Sequence, residues 1–197
     1  MANVAYQTMS VDEFLIWQLD QEVRYELVEG HPVKMQTGAS NYHDVITVNV
    51  ILALGNQLRG KPCRVATADT AIRTRIRSAR RGDVVVTCEP PRRDSYEATA
   101  PRLIVEVLSR SNTGVRWQRK LEEYRRREGL QYILLIDSRR IEATLLTRSG
   151  ETWEPTDYND LADTTDLPEI GCKLPMADIY GGLTFDETAR NEPDPDT

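Results

Sequence analysis

Apolar positions in this chain fall into short runs with strand character, interrupted by stretches in which they recur every three or four residues. Ser10-Val11-Asp12-Glu13 opens the first helix, with Ser10 placed as N-cap and Glu13 completing a capping box. Residues 24–28 and 32–35 read as strands, and the turn signal Glu29-Gly30 between them predicts a hairpin. Over residues 41–58, Val45, Val48, Leu52 and others recur at helical spacing, until Gly60-Lys61-Pro62 stops the helix. Strands follow over 64–68, 71–76, 83–87 and 103–108. A further helix covers 115–127, with Trp117, Leu121 and Tyr124 on one face and Gly129 in the usual place for a C-terminal glycine. Residues 132–136 and 142–146 make a last strand pair around Asp137-Ser138-Arg139-Arg140. Strands grouped between a few helices predict an α/β (α+β) fold, a mixed central sheet flanked by helices with an N-terminal helix and β-hairpin. Strands and helices do not alternate regularly, so the sheet is not doubly wound.

Length adds that residues 1–186 form one domain of the 197, with 187–197 a polar, proline-bearing and disordered tail. Hydrophobic residues make up 40% and charged residues 28%, which suits a globular chain. No apolar run approaches the roughly 20 residues that span a bilayer, and residues 1–10 carry no signal-peptide pattern. The three cysteines, Cys63, Cys88 and Cys172, are odd in number and widely spaced, so neither a disulfide framework nor a zinc site is expected. A reducing cytoplasm and no membrane partner are the expectation.

Charge changes the picture more. The net charge is -6, yet residues 57–140 hold 20 basic and 10 acidic side chains, a segment of net +10 between acidic flanks. A basic middle in an acidic protein suggests contact with a polyanion, or else an arginine-rich surface paired internally with its flanks.

The candidate chemistry starts at Leu103-Ile104-Val105-Glu106-Val107-Leu108, where five apolar residues surround one carboxylate. Such a strand is buried on both faces, and a buried carboxylate needs a cation, a raised pKa or a metal ion. A core glutamate satisfied by an arginine is the alternative. Asp83 opens the similar run Val84-Val85-Val86, although Gly82-Asp83 is also ordinary turn chemistry. Two acids on neighbouring strands suit Mg²⁺, and the Val107 backbone carbonyl is a natural additional ligand. Lys120, one of four lysines beside 21 arginines, lies on the Trp117/Tyr124 side of its helix. It would orient a water or neutralise developing phosphorane charge, unless it is a surface lysine paired with Glu123. Glu26 could point into a cleft, and His43 is either a supporting group or a cap. No Walker loop, GxSxG elbow or HExxH motif occurs.

In order, Tyr25-Glu26-Leu27-Val28-Glu29-Gly30, His43, Asp83, Val105-Glu106-Val107-Leu108-Ser109-Arg110-Ser111-Asn112-Thr113, Lys120 with Tyr124 and Gly129, and Tyr132-Ile133-Leu134-Leu135-Ile136-Asp137 resemble the Uma-two family of the PD-(D/E)xK restriction-endonuclease-like superfamily. The resemblance spans roughly residues 8–180. It implies a metal-dependent endonuclease with Mg²⁺ or Mn²⁺ on Asp83, Glu106 and the Val107 carbonyl, Lys120 as catalytic lysine, Glu26 assisting, and His43 and Tyr124 behind them. It implies a nucleic-acid substrate, DNA rather than RNA, and a possible homodimer. The chain departs from the pattern in two respects, and the second includes Arg110, which stands where the family often has proline. Gly82 stands where the family has proline, and Arg116-Trp117 stands where it has an acid near the lysine. The competing expectations are a nuclease fold that binds nucleic acid without turnover, and a protein-interaction module.

Overall fold

The structure is a computed structural model that describes residues 8–35, 40–109 and 114–185. The tail expected over 187–197 and the landmarks Arg110 to Thr113 lie outside the described residues. Helix α1 (Val11–Trp17) begins with the expected capping box, the Ser10 hydroxyl accepting from the Glu13 N–H and Glu13 from the Ser10 N–H. Strands β1 (Tyr25–Val28) and β2 (His31–Lys34) form the expected hairpin. Helix α2 (Asn41–Leu58) follows, then β3 (Arg64–Thr67), β4 (Ile72–Arg75), β5 (Ser78–Arg80), β6 (Val84–Thr87) and β7 (Pro101–Leu108). Helix α3 (Gly114–Arg125) leads into β8 (Tyr132–Asp137), β9 (Ala143–Ser149), β10 (Thr152–Tyr158), β11 (Thr164–Leu167), β12 (Cys172–Pro175) and α4 (Met176–Ile179).

Among the described residues the strands make a six-stranded sheet, β10-β9-β8-β7-β6-β3, a four-stranded sheet, β2-β1-β5-β4, and the hairpin β11–β12. In the six-stranded sheet β7 and β8 run parallel and the remaining neighbours antiparallel. The parallel pair needs a crossover, and α3 supplies it. This is the mixed, helix-flanked sheet that the strand grouping predicts.

Alternation along β6 and β7 sorts the two cores. Val84, Val86, Leu103, Val105 and Val107 pack with α2, α4 and β12. Val85 and Ile104 face the other way, onto Tyr124 of α3 and Ile72 of β4. Helix α2 has the expected bounds; it buries Ile46, Val50, Leu54 and Leu58, while Val48 and Leu52 are exposed. Apolar residues surround much of this helix, so spacing could not tell which stripe meets the sheet. One correction concerns the cysteines: Cys63 and Cys88 form a disulfide just beyond the Arg64–Thr87 pair of β3 and β6, and Cys172 is free and buried. Strand pairing, not sequence spacing, brings those two thiols together. Among the described residues no helix is long and apolar enough to cross a membrane.

Candidate active site

Glu106 shares strand parity with Ile104 and therefore points from the sheet toward α3. It is buried, as its apolar neighbours require, and its compensation comes from that helix. The Tyr124 hydroxyl donates to Oε1 at 2.7 Å, and Lys120 Nζ lies 2.8 Å from Oε1 and 3.0 Å from Oε2. Burial pushes the Glu106 carboxyl up to about 7; Lys120 opposes the rise and the charge on Asp83 adds to it.

Lys120 is not the surface partner of Glu123. Its ammonium group also reaches Glu26 Oε1 at 3.2 Å and donates to the Arg81 carbonyl at 2.9 Å. Burial alone would loosen its proton, but Glu106 and Glu26 outweigh that effect and raise its pKa. Glu26, at the centre of β1, is buried too. Arg80 donates to its Oε2 at 3.0 Å and the Arg81 N–H to its Oε1 at 3.0 Å. Burial would raise this carboxyl, yet the charges of Lys120 and Arg80 hold it below the ordinary range.

Asp83 stands immediately before β6, where Oδ2 accepts the Val107 N–H at 2.7 Å. That bond fixes Asp83 against the residue following Glu106, so the two carboxylates are neighbours through the β6–β7 pairing. His43 Nε2, from the first turn of α2, lies 3.4 Å from the same Oδ2, and the hydrogen bond to Asp83 raises its pKa. Gly82 has a packing reason: a Cβ there would sit 2.8 Å from Ile104 Cγ2. The proline of the family pattern would meet the same obstacle here.

The structure thus brings Asp83, Glu106, Lys120, Glu26, His43 and Tyr124 into one cluster. Two members of the surrounding network, Arg80 and Glu123, were not among the expected site residues, Glu123 being considered only as a surface partner of Lys120. Arg80 Nε donates to Glu123 Oε2 at 2.8 Å and its Nη2 to Oε1 at 3.0 Å, and both side chains are buried. Their signal was weak, since Ser78-Ala79-Arg80 has no alternating apolar pattern and Glu123 looks like an ordinary helix-surface acid.

The donor set fits a magnesium-like ion. Asp83, just before β6, and Glu106, in β7, offer hard carboxylate oxygens side by side, and the Asp83 charge disfavours the ionised form of Glu106. Among the described residues no three His, Cys, Asp or Glu side chains form a complete cage. Such an ion usually keeps several waters and takes substrate phosphate oxygens, so two protein carboxylates are a reasonable complement.

Comparison with known proteins places this arrangement in context. Residues 11–177 match the model of the Uma2 family, described as "Putative restriction endonuclease". A Synechocystis sp. (strain ATCC 27184 / PCC 6803 / Kazusa) protein, "Uncharacterized protein slr1290", is 31% identical over 186 residues, covering 93% of this chain and 97% of that one. The fold is similar to that of a "putative nuclease belonging to DUF820" from Anabaena variabilis ATCC 29413, with a TM-score of 0.68 at 17% identity, over 87% of this chain and 97% of that one.

Proposed function

This chain belongs to the Uma2 family, and from that premise we propose that it is a Mg²⁺- or Mn²⁺-dependent endonuclease that hydrolyses phosphodiester bonds, with DNA as its substrate. The observation that carries this reading is Glu106: a buried carboxylate beside Asp83, in contact with a lysine that no surface role explains.

Asp83 and Glu106 would hold the cation, with the Val107 carbonyl as a further oxygen donor. The bound ion would supply Lewis-acid polarisation of the scissile phosphate and charge neutralisation. The chain's own groups do the rest. Lys120 keeps its proton, because Glu106 and Glu26 stabilise the ammonium form. It therefore acts as a hydrogen-bond donor that orients the attacking water or stabilises charge on the phosphorane, rather than as the base. Glu26 holds Lys120 in place, Tyr124 fixes the Glu106 carboxylate, and His43 orients Asp83. In the net reaction the water oxygen bonds to phosphorus, the bond from phosphorus to one ester oxygen breaks, and a proton passes to the leaving oxygen.

Calorimetric titration of Mn²⁺ tests this without a guess about sequence preference. Wild type is expected to bind saturably, and Asp83→Asn and Glu106→Gln to lose that binding. With Mn²⁺ and plasmid DNA, Lys120→Met should retain cation binding and cleave about 100-fold more slowly. Cation-independent DNA binding, with no saturable Mn²⁺ site and no cleavage, would replace the enzyme by a binding protein on the same fold.

A further inference from the structure

The hairpin β4–β5 turns on only two residues, Ile76 and Arg77, with Arg75 paired to Ser78. Two-residue hairpins favour Gly, Asn or Asp at their tips. Here a β-branched residue takes the place. Ile76 is 89% exposed, more than any other large hydrophobic side chain among the described residues, and exposed arginines, Arg75 and Arg77, flank it. A lone exposed apolar residue is ordinary, but the setting of this one is not.

Hydrogen bonds tie the tip to neighbouring elements. The Gly30 N–H donates to the Arg77 carbonyl at 2.7 Å, Arg77 donates to the Thr8 hydroxyl at 2.5 Å, and Thr74 donates to Glu123 at 2.8 Å. Helix α3 runs alongside. Glu123 meets Thr74 in β4, and Arg119, one turn earlier, pairs with Glu29 next to Gly30. A further turn back on the same stripe, Val115 is 80% exposed, beside the exposed Arg116. Ile76 and Val115 are thus exposed apolar side chains next to exposed arginines, Arg75 and Arg77 at the tip and Arg116 on α3, with the acids Glu13 and Glu29 also near the tip.

Reach matters as well. Ile76 precedes Asp83 by seven residues, at most about 23 Å of extended chain, which is less than the roughly 34 Å turn of duplex DNA. The separation is within the reach of one duplex.

We propose that this tip is a DNA wedge: Ile76 enters a groove of duplex DNA and levers between base pairs, while Arg75, Arg77 and Arg116 engage the flanking phosphates. An apolar side chain bracketed by arginines suits a stacked polyanion, because insertion unstacks a step and the cations recover binding energy from the backbone. A second copy of this chain is the poorer occupant, since it would bring the same positive charges to the contact. The proposal rests on the nuclease reading and names how its substrate is gripped.

The test uses a short duplex with 2-aminopurine at a central TA step, a step that kinks easily, at low salt with EDTA to prevent cleavage. Binding of wild type should raise the fluorescence. Ile76→Ser, which changes an exposed side chain, should abolish that rise and weaken duplex binding about tenfold. Arg75→Ala should keep the rise and reduce the salt slope of binding by about 1. Equal affinity and fluorescence for wild type and Ile76→Ser would overturn the wedge, as would no duplex binding at low salt. A dimer in sedimentation equilibrium that Ile76→Ser dissolves would assign the tip to a second copy. The Mn²⁺ titration of Asp83→Asn and Glu106→Gln reads the nuclease assignment separately, so either idea can fail alone.

Discussion

Glu106 carries the largest consequence of any single residue. Its carboxyl titrates near 7 in the folded protein against about 4.5 when unfolded. The folded state thus binds the extra proton, and this contribution to stability is complete below about pH 4.5 and lost as pH rises toward 7. Its full extent is on the order of 3 kcal/mol. Glu26 and Glu123 behave oppositely, because their lowered pKa values give stability above the ordinary carboxylate range that is lost on acidification. Cation-free wild type is therefore expected to melt at a lower temperature at pH 7 than at pH 5, and Glu106→Gln to lose most of that difference. Thermal melts of both proteins across this window decide it; identical slopes would show that Glu106 ionises without strain. Mn²⁺ should raise the wild-type melting temperature at pH 7, because a bound dication favours the ionised carboxylate.

At the scale of elements, α3 is the part that makes the site. It delivers Lys120 and Tyr124 to Glu106, and the Arg80–Glu123 pair fastens it to β5. Arg80 also reaches Glu26, so one buried guanidinium links β1, β5 and α3. Burial raises the cost of breaking such a pair. Arg80→Met should destabilise the protein by about 3–5 kcal/mol, leaving buried Glu123 with only the longer Arg119 contact at 3.5 Å and Glu26 with Lys120. The double variant Arg80→Met/Glu123→Leu should recover much of that loss in urea denaturation. Failure to recover would mean that the pair's worth lies in the geometry it imposes rather than in its charge balance.

For the molecule as a whole, the six-stranded sheet is the frame on which two layers are hung. Helix α2, α4 and the β11–β12 hairpin cover one face; α3 packs on the other, with the four-stranded sheet nearby. The Cys63–Cys88 disulfide ties β3 to β6 across a sequence separation of 25 residues. Closing a loop of that size restricts the unfolded chain by about 3 kcal/mol. Cys63→Ser should lose stability of that order in urea denaturation. Dithiothreitol should bring wild type to the same midpoint and leave the variant unchanged. The arginine-rich middle also resolves at this scale, with no single role. Arg80 and Arg81 are buried within the fold, while Arg75, Arg77 and Arg116 are exposed.

What the sequence determined by itself was local or followed from burial. The Ser10–Glu13 capping box and the Glu29-Gly30 turn, both of whose residues adopt positive φ, are written within a few residues. The need to compensate Glu106 was legible because a carboxylate inside an apolar strand cannot stand alone, whatever the fold. The compensating partner was not legible, since only the crossover of α3 places Lys120 rather than an arginine against Glu106. The buried stripe of α2 was equally out of reach, because a helix apolar on several sides is oriented by what packs against it. Strand β10, mostly exposed and polar, owes its conformation to backbone pairing with β9 rather than to an alternating pattern. The Cys63–Cys88 bond and the Arg80–Glu123 pair share that origin. Each joins residues distant in sequence, and their proximity is a product of the sheet's assembly.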